Sequence, residues 1–268
     1  MKLSRGAATL SALLLSAALS FTGAGAAQAA GEAAATGYVA LGDSYSSGVG
    51  AGSYDSGSGN CKRSTRAYPA LWAASHSPSS FAFTACSGAR TGDVIAGQLG
   101  PLNASTGLVS VSVGGNDAGF ADTMTTCVLY SESTCLQRVA EARAYIANTL
   151  PGKLDQVYTA ISGKAPAAHV VVLGYPRLYK LDGSCIAGLS ENERAAINAA
   201  SDDLNGVTAK RAADHGFTFG DVRSTFTGHE ICSGASWLHS VTWPVINSYH
   251  PTATGQSRGY LPVFASAA

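Results

Sequence analysis

Charge is sparse in this sequence. Asp, Glu, Lys and Arg make up 13% of it, against ~25% in an average soluble protein, and the 17 basic and 17 acidic residues cancel. Lys and Arg form no extended stripe. Without one a chain cannot neutralise a phosphate backbone, so nucleic acid is not an expected partner. There is no Cys-x-x-Cys pair, and His229 near Cys232 lacks companions at ligand spacing; no metal and no organic cofactor is expected. Beyond the first thirty residues no apolar run approaches the ~20 residues of a membrane-spanning helix. Repeats and linkers are missing too, so the 268 residues are read as one sizeable domain.

The first thirty residues differ in kind from the rest. Lys2 and Arg5 precede an apolar run over 7–21 that Ser interrupts, and Ala27-Gln28-Ala29 offers a small-x-small cleavage site. The segment reads as a secretory signal over 1–29, with the working domain over 30–268 and an extracellular destination. The cysteines agree with export. Cys61, Cys86, Cys127, Cys135, Cys185 and Cys232 all follow the leader, and an even number in an exported chain points to disulfides. Sequential pairing, Cys61 with Cys86, Cys127 with Cys135 and Cys185 with Cys232, is expected because each pair closes a local loop without threading.

Short β-branched or apolar runs alternate with longer helical patterns, which is how a parallel sheet covered on both faces is written. Five strands are predicted, over 38–41, 81–84, 108–113, 169–173 and 217–221. Between the third and fourth, Leu154, Val157, Tyr158 and Ile161 share one helical face, with Pro151 at its start. Before the fifth, Ser190 and Glu193 form a capping box, and Ile197, Ala200, Leu204 and Val207 continue as a buried stripe. In an open α/β sheet the ligand site lies at the carboxyl ends of the strands, so the residues just after each strand carry the interest.

After the first strand comes Gly42-Asp43-Ser44-Tyr45-Ser46-Ser47-Gly48, where small residues let a sharp turn present a hydroxyl. Alone, it is equally an ordinary turn or helix cap. After the second strand stands Cys86-Ser87-Gly88-Ala89, and after the third Gly114-Gly115-Asn116-Asp117. A tetrahedral intermediate needs two or three preorganised donors; Gly88 offers an unobstructed main-chain N–H, Asn116 an amide, and Ser44 its own N–H. Near the end comes Asn247-Ser248-Tyr249-His250-Pro251-Thr252, just before a final helix predicted from position 252, whence an imidazole can reach back over the strand ends.

Taken in this order and at these strand ends, the four segments resemble the GDSL or SGNH hydrolase family, named for its Ser, Gly, Asn and His. The likeness extends over the whole chain after the leader, cysteines included, to the secreted lipase and phospholipase A1 branch of that family. It implies a three-layer α/β/α fold around a five-stranded parallel sheet. It further implies Ser44 as nucleophile, His250 as general base, and Gly88 and Asn116 as oxyanion donors together with the Ser44 N–H. One departure matters, since the family usually has an aspartate three residues before the histidine and this sequence has Asn247. An amide cannot supply a carboxylate. The expectation is therefore a Ser44–His250 dyad whose Nδ1–H is held by the main-chain carbonyl of Ser248, with Asp221 and Asp117 as weaker candidates.

For substrate, Phe120, Phe226, Trp237, Leu238, Trp243 and Tyr249 flank the matched segments and are either the lining of an acyl groove or packing beneath a stapled loop. The resemblance favours lipid carboxylic esters, with transient contact at lipid surfaces; with no apolar heptad or interface stripe in the sequence, a monomer is expected. A carbohydrate acetyl esterase is the alternative enzyme, and a secreted binding module without turnover the alternative class. A base that must be neutral predicts activity rising through a pKa near the ~6.5 of ordinary histidine.

Overall fold

The computed structural model describes residues 36–185 and 188–268. The leader expected over 1–29, and residues 30–35 of the expected domain, lie outside the described residues.

Five strands form a single sheet in the order β2-β1-β3-β4-β5 with every pairing parallel. They are β1 (Gly37–Gly42), β2 (Ser80–Phe83), β3 (Thr106–Ser112), β4 (His169–Leu173) and β5 (Thr218–Gly220). Each predicted strand is present, its ends shifted by no more than two residues. The apolar run of β1 is buried along its whole length, as a strand covered on both faces must be.

From β1 the chain passes through α1 (Ser44–Ser47) and α2 (Tyr68–His76) to β2 on one side, then through α3 (Thr91–Gly97) back across to β3. Parallel crossovers are right-handed, so this reversal puts α2 and α3 on opposite faces. Three helices fill the next crossover, α4 (Phe120–Leu129), α5 (Glu132–Asn148) and α6 (Leu150–Lys164), and α7 (Glu191–Asp214) leads to β5. After α8 (Arg223–Phe226) and a long loop, a π-helical turn, Gly255–Tyr260, runs into α9 (Leu261–Ala267), which packs beside α2. Helices thus flank the sheet on both sides.

Local chemistry accounts for the helices that the pattern predicts. Pro151 sits in the first turn of α6, and Leu154, Val157, Tyr158 and Ile161 are fully buried. At α7 the Ser190 Oγ accepts from the Glu193 N–H at 3.2 Å while the Glu193 carboxylate accepts from the Ser190 N–H at 2.7 Å. Other helices escaped the pattern. The buried face of α5 is Cys135, Val139, Ala142 and Ile146, and two of its four members are too small or too reactive to register as apolar signal. The disulfides join Cys61 to Cys86, Cys127 to Cys135 and Cys185 to Cys232, as the locality of the loops predicted.

Candidate active site

β1 and β3 lie side by side, and their chains leave the sheet in opposite directions, which opens a crevice at their carboxyl ends. Gly42, the last residue of β1, has φ +124°, and a Cβ there would sit 2.5 Å from the Ser112 carbonyl oxygen. Glycine lets β1 turn against β3. Gln98 then clasps the turn, accepting from the Gly42 N–H at 2.7 Å and donating to its carbonyl at 2.8 Å.

The next residue, Asp43, caps α1 and is almost fully buried. One of its oxygens accepts from the Tyr45 N–H at 3.0 Å and the Ser112 hydroxyl at 2.8 Å, and the other from the Tyr175 hydroxyl at 2.5 Å. A carboxylate only accepts, so the polarity of the chain behind it is fixed: Ser46 donates to Ser112 at 2.7 Å and Tyr68 donates to Ser46 at 3.0 Å. Burial pushes the Asp43 carboxyl up to about 6, and the bonds from Tyr175 and Ser112 hold it from going further. Ser44 follows on this anchored turn.

His250 comes from the opposite rim. It lies in the loop between α8 and the π-helical turn, and the loop is held largely by main-chain bonds. His239 and residues 249–250 exchange N–H···O bonds at 3.0 and 2.9 Å, and the Ser248 hydroxyl accepts from the Thr242 N–H at 3.0 Å. Tyr45, next to Ser44, donates its hydroxyl to the Tyr249 carbonyl at 2.7 Å and so ties the two rims together.

The two side chains meet. His250 Nε2 lies 2.8 Å from Ser44 Oγ, and His250 Nδ1 lies 2.9 Å from the Ser248 carbonyl oxygen. A carbonyl can only accept, so the ring proton sits on Nδ1 and Nε2 is left free to accept from the serine hydroxyl. Burial pushes the imidazole down to about 4, against the upward pull of the Ser248 carbonyl. That is well below the ordinary histidine value that the sequence suggested. The weaker candidates for orienting the ring are engaged elsewhere, Asp117 accepting from the Thr91 N–H and hydroxyl at 2.9 and 2.6 Å and Asp221 pairing with Arg223 at 2.6 Å; Asn247, at the position of the usual aspartate, accepts from the Tyr54 hydroxyl at 3.2 Å.

Gly88 and Asn116 line the same cleft as Ser44, Ser248 and His250. Gly88 adopts φ +79° with nothing within 4 Å of where a Cβ would be, a left-handed turn facing open space beside the Cys61–Cys86 bond. Asn116 spends one amide N–H on the Ala89 carbonyl at 3.1 Å, which pins its side chain across the strand ends. Among the described residues no three His, Cys, Asp or Glu side chains converge as metal ligands would.

From this polar floor a cleft of about 420 Å³ runs between α4 and the loop of His250. Of the six large residues considered for a groove, Phe120 and Tyr249 line it. Phe226 and Leu238 are core, and Trp237 stacks on His229 and packs edge-on against Phe226. Trp243 projects into solvent. The cleft walls that sequence reasoning missed are Met124, Val128, Leu129, Val241, Val245 and Ile246. For the first wall a signal existed: Phe120, Met124 and Val128 are spaced four apart on one helical face.

A parallel sheet in this order, with Ser44, Gly88, Asn116 and His250 gathered at its carboxyl edge, defines a three-layer α/β/α, flavodoxin-like hydrolase of the SGNH type. The model of the GDSL-like Lipase/Acylhydrolase family matches residues 40–258, and the chain belongs to that family. It is 73% identical over 267 residues to a lipase of Streptomyces rimosus, with all of both chains covered. The crystal structure of the extracellular lipase from Streptomyces rimosus superposes with a TM-score of 0.86 at 75% identity, covering 87% of this chain and all of that one. The crystal structure of phospholipase A1 from Streptomyces albidoflavus gives the same TM-score at 68% identity, covering 88% and 100%.

Proposed function

We propose that the protein is a secreted serine esterase that hydrolyses lipid carboxylic esters, of lipase or phospholipase A1 type, through Ser44 and His250. The observation that carries this reading is the 2.8 Å contact between Nε2 and Oγ in the tautomer that can accept a proton. The serine hydroxyl gives its proton to Nε2 as Oγ attacks the ester carbonyl. The oxyanion is received by the main-chain N–H groups of Ser44 and Gly88 and the amide of Asn116. The imidazolium then protonates the departing alcohol, leaving an acyl-serine. Water, deprotonated by the same nitrogen, attacks the acyl carbon; the acid leaves and Oγ recovers its proton. Throughout, the Ser248 carbonyl holds Nδ1–H in place.

Lipid esters are favoured by the apolar walls of the cleft, which suit an acyl chain, and by the printed activities of the lipase and phospholipase A1 relatives. Export is supported by three disulfides and by the extracellular relative. A fluorophosphonate probe tests the core of the proposal. Wild type is expected to be labelled stoichiometrically and Ser44→Ala not at all; equal labelling of the two proteins overturns it. A panel of esters from acetate to long acyl chains, with a phospholipid, then reads the substrate class.

A further inference from the structure

The cleft opens through a collar of exposed apolar side chains. Of the ten large apolar residues exposed among the described residues, seven belong to its two lips. Val128, Leu129 and Tyr130 form one, at the end of α4, and Val241, Trp243, Val245 and Ile246 form the other. Leu129, Tyr130 and Trp243 are 69%, 65% and 86% exposed, so packing within the fold does not account for them. Clustering of this kind marks a surface that is covered in use. Five of the seven also line the passage down to Ser44, which makes the collar continuous with the proposed acyl site.

The collar is also without charge. Residues 123–131 and 231–257 contain no Lys, Arg, Asp or Glu, and none lines the cleft among the described residues. Such a surface gains nothing from an anionic layer and has no counterions to release. Charged groups stand only to one side, where Glu132, Glu193 and Arg194 line a separate hollow with Tyr130 and Val241; a protein seated on both lips would stop the mouth it surrounds. A lipid layer delivers its esters through the same opening. Trp and Tyr, apolar with one polar edge, suit the boundary between headgroups and chains.

We infer that the collar docks the enzyme on the surface of an uncharged or zwitterionic lipid aggregate, with Trp243, Tyr130 and Leu129 entering the interface while an ester passes between the lips to Ser44. This rests on the reading of the site as a lipid esterase.

Binding is measured apart from turnover by using Ser44→Ala protein and unilamellar phosphatidylcholine vesicles in a sedimentation assay. The protein is expected to partition onto the vesicles, with less than about a twofold change on raising salt or admixing phosphatidylglycerol. Its Trp emission should shift to the blue, and Trp243→Ala should remove that shift, since Trp72 and Trp237 are half-buried already. Trp243→Asp and Tyr130→Asp, placed in the same background, should each weaken partition on the order of tenfold or more. In the active enzyme those two substitutions, both outside the cleft lining, should leave hydrolysis of a dissolved short-chain ester within about twofold. Unchanged partition of both Asp variants overturns the docking face, as does wild-type binding that collapses in salt or appears only with anionic lipid. If wild type cleaves no dissolved ester, the esterase reading fails instead, whatever the vesicles show.

Discussion

Ser44 and His250 face each other across 2.8 Å, yet different means hold them. The serine rests on the sheet through side chains: Asp43, Ser112, Tyr175, Ser46 and Tyr68 form one connected network, and Gln98 clasps the turn before it. The histidine rests on a loop through the main chain, with the Ser248 carbonyl on its ring and carbonyl–amide bonds on either side. The serine's half can be dismantled one side chain at a time. In the histidine's half, side chains such as Tyr45 and Ser248 brace the loop, but the bond to the ring itself comes from a main-chain carbonyl, which no side-chain truncation deletes. A site without the usual aspartate thereby keeps its tautomer, at the expense of the charge that would stabilise an imidazolium.

Five measurements bear on this contrast. Ser44→Ala should lower kcat on the order of 10⁵-fold or more, since nothing else supplies the attacking oxygen. Asn116→Ala should cost ~10² to 10³ in kcat, the usual effect of one oxyanion donor. The pH profile of kcat/KM separates a carbonyl-held ring from an ordinary one. In the proposed mechanism neutral imidazole is the active form, so activity should rise with pH through the His250 pKa. With burial setting that value at about 4, the profile should already be near its plateau at pH 5, where a ring with a pKa of ~6.5 would give about thirtyfold less. Asp43, raised to about 6, can add a limb of its own, so an acid limb centred on ~6.5 that persists in Asp43→Asn would place the ring in bulk-like solvent and break the contrast. Tyr45→Phe removes the tie between the rims and leaves the Tyr249 carbonyl unpaired; urea melts should show a loss of about 1–3 kcal/mol, with a smaller effect on turnover. Last, Asp221→Ala should leave kcat within about twofold. Its abolition in a folded variant would hand the ring to a distant acid.

Much of this was readable beforehand because strand ends punctuate the chain. The run at β1 followed by Gly42-Asp43-Ser44, and the Gly-rich turns after β2 and β3, are chemical breaks in an apolar pattern, and the sheet carries all three to one edge. The capping box at Ser190 and Glu193 was equally plain. Burial was not. Phe226 and Leu238 look no different in sequence from Met124 and Val128, yet the first pair is core and the second lines the cleft. The low pKa of His250 was hidden for the same reason, since it depends on how closely distant segments enclose the ring. The destination of Asn247 could not be read either, because Tyr54, its partner, lies far off in the chain.

The Cys127–Cys135 bond ties the last turn of α4 to the first turn of α5 and encloses the tip that carries Val128, Leu129 and Tyr130. A flap needs slack and two hinges, and a tip cross-linked at its roots between two helices has neither. This lip therefore does not fold over the entrance, and molecules dissolved singly meet it in the same position as those gathered in a film. Progress curves begun with either should run straight from the moment of mixing, with no lag.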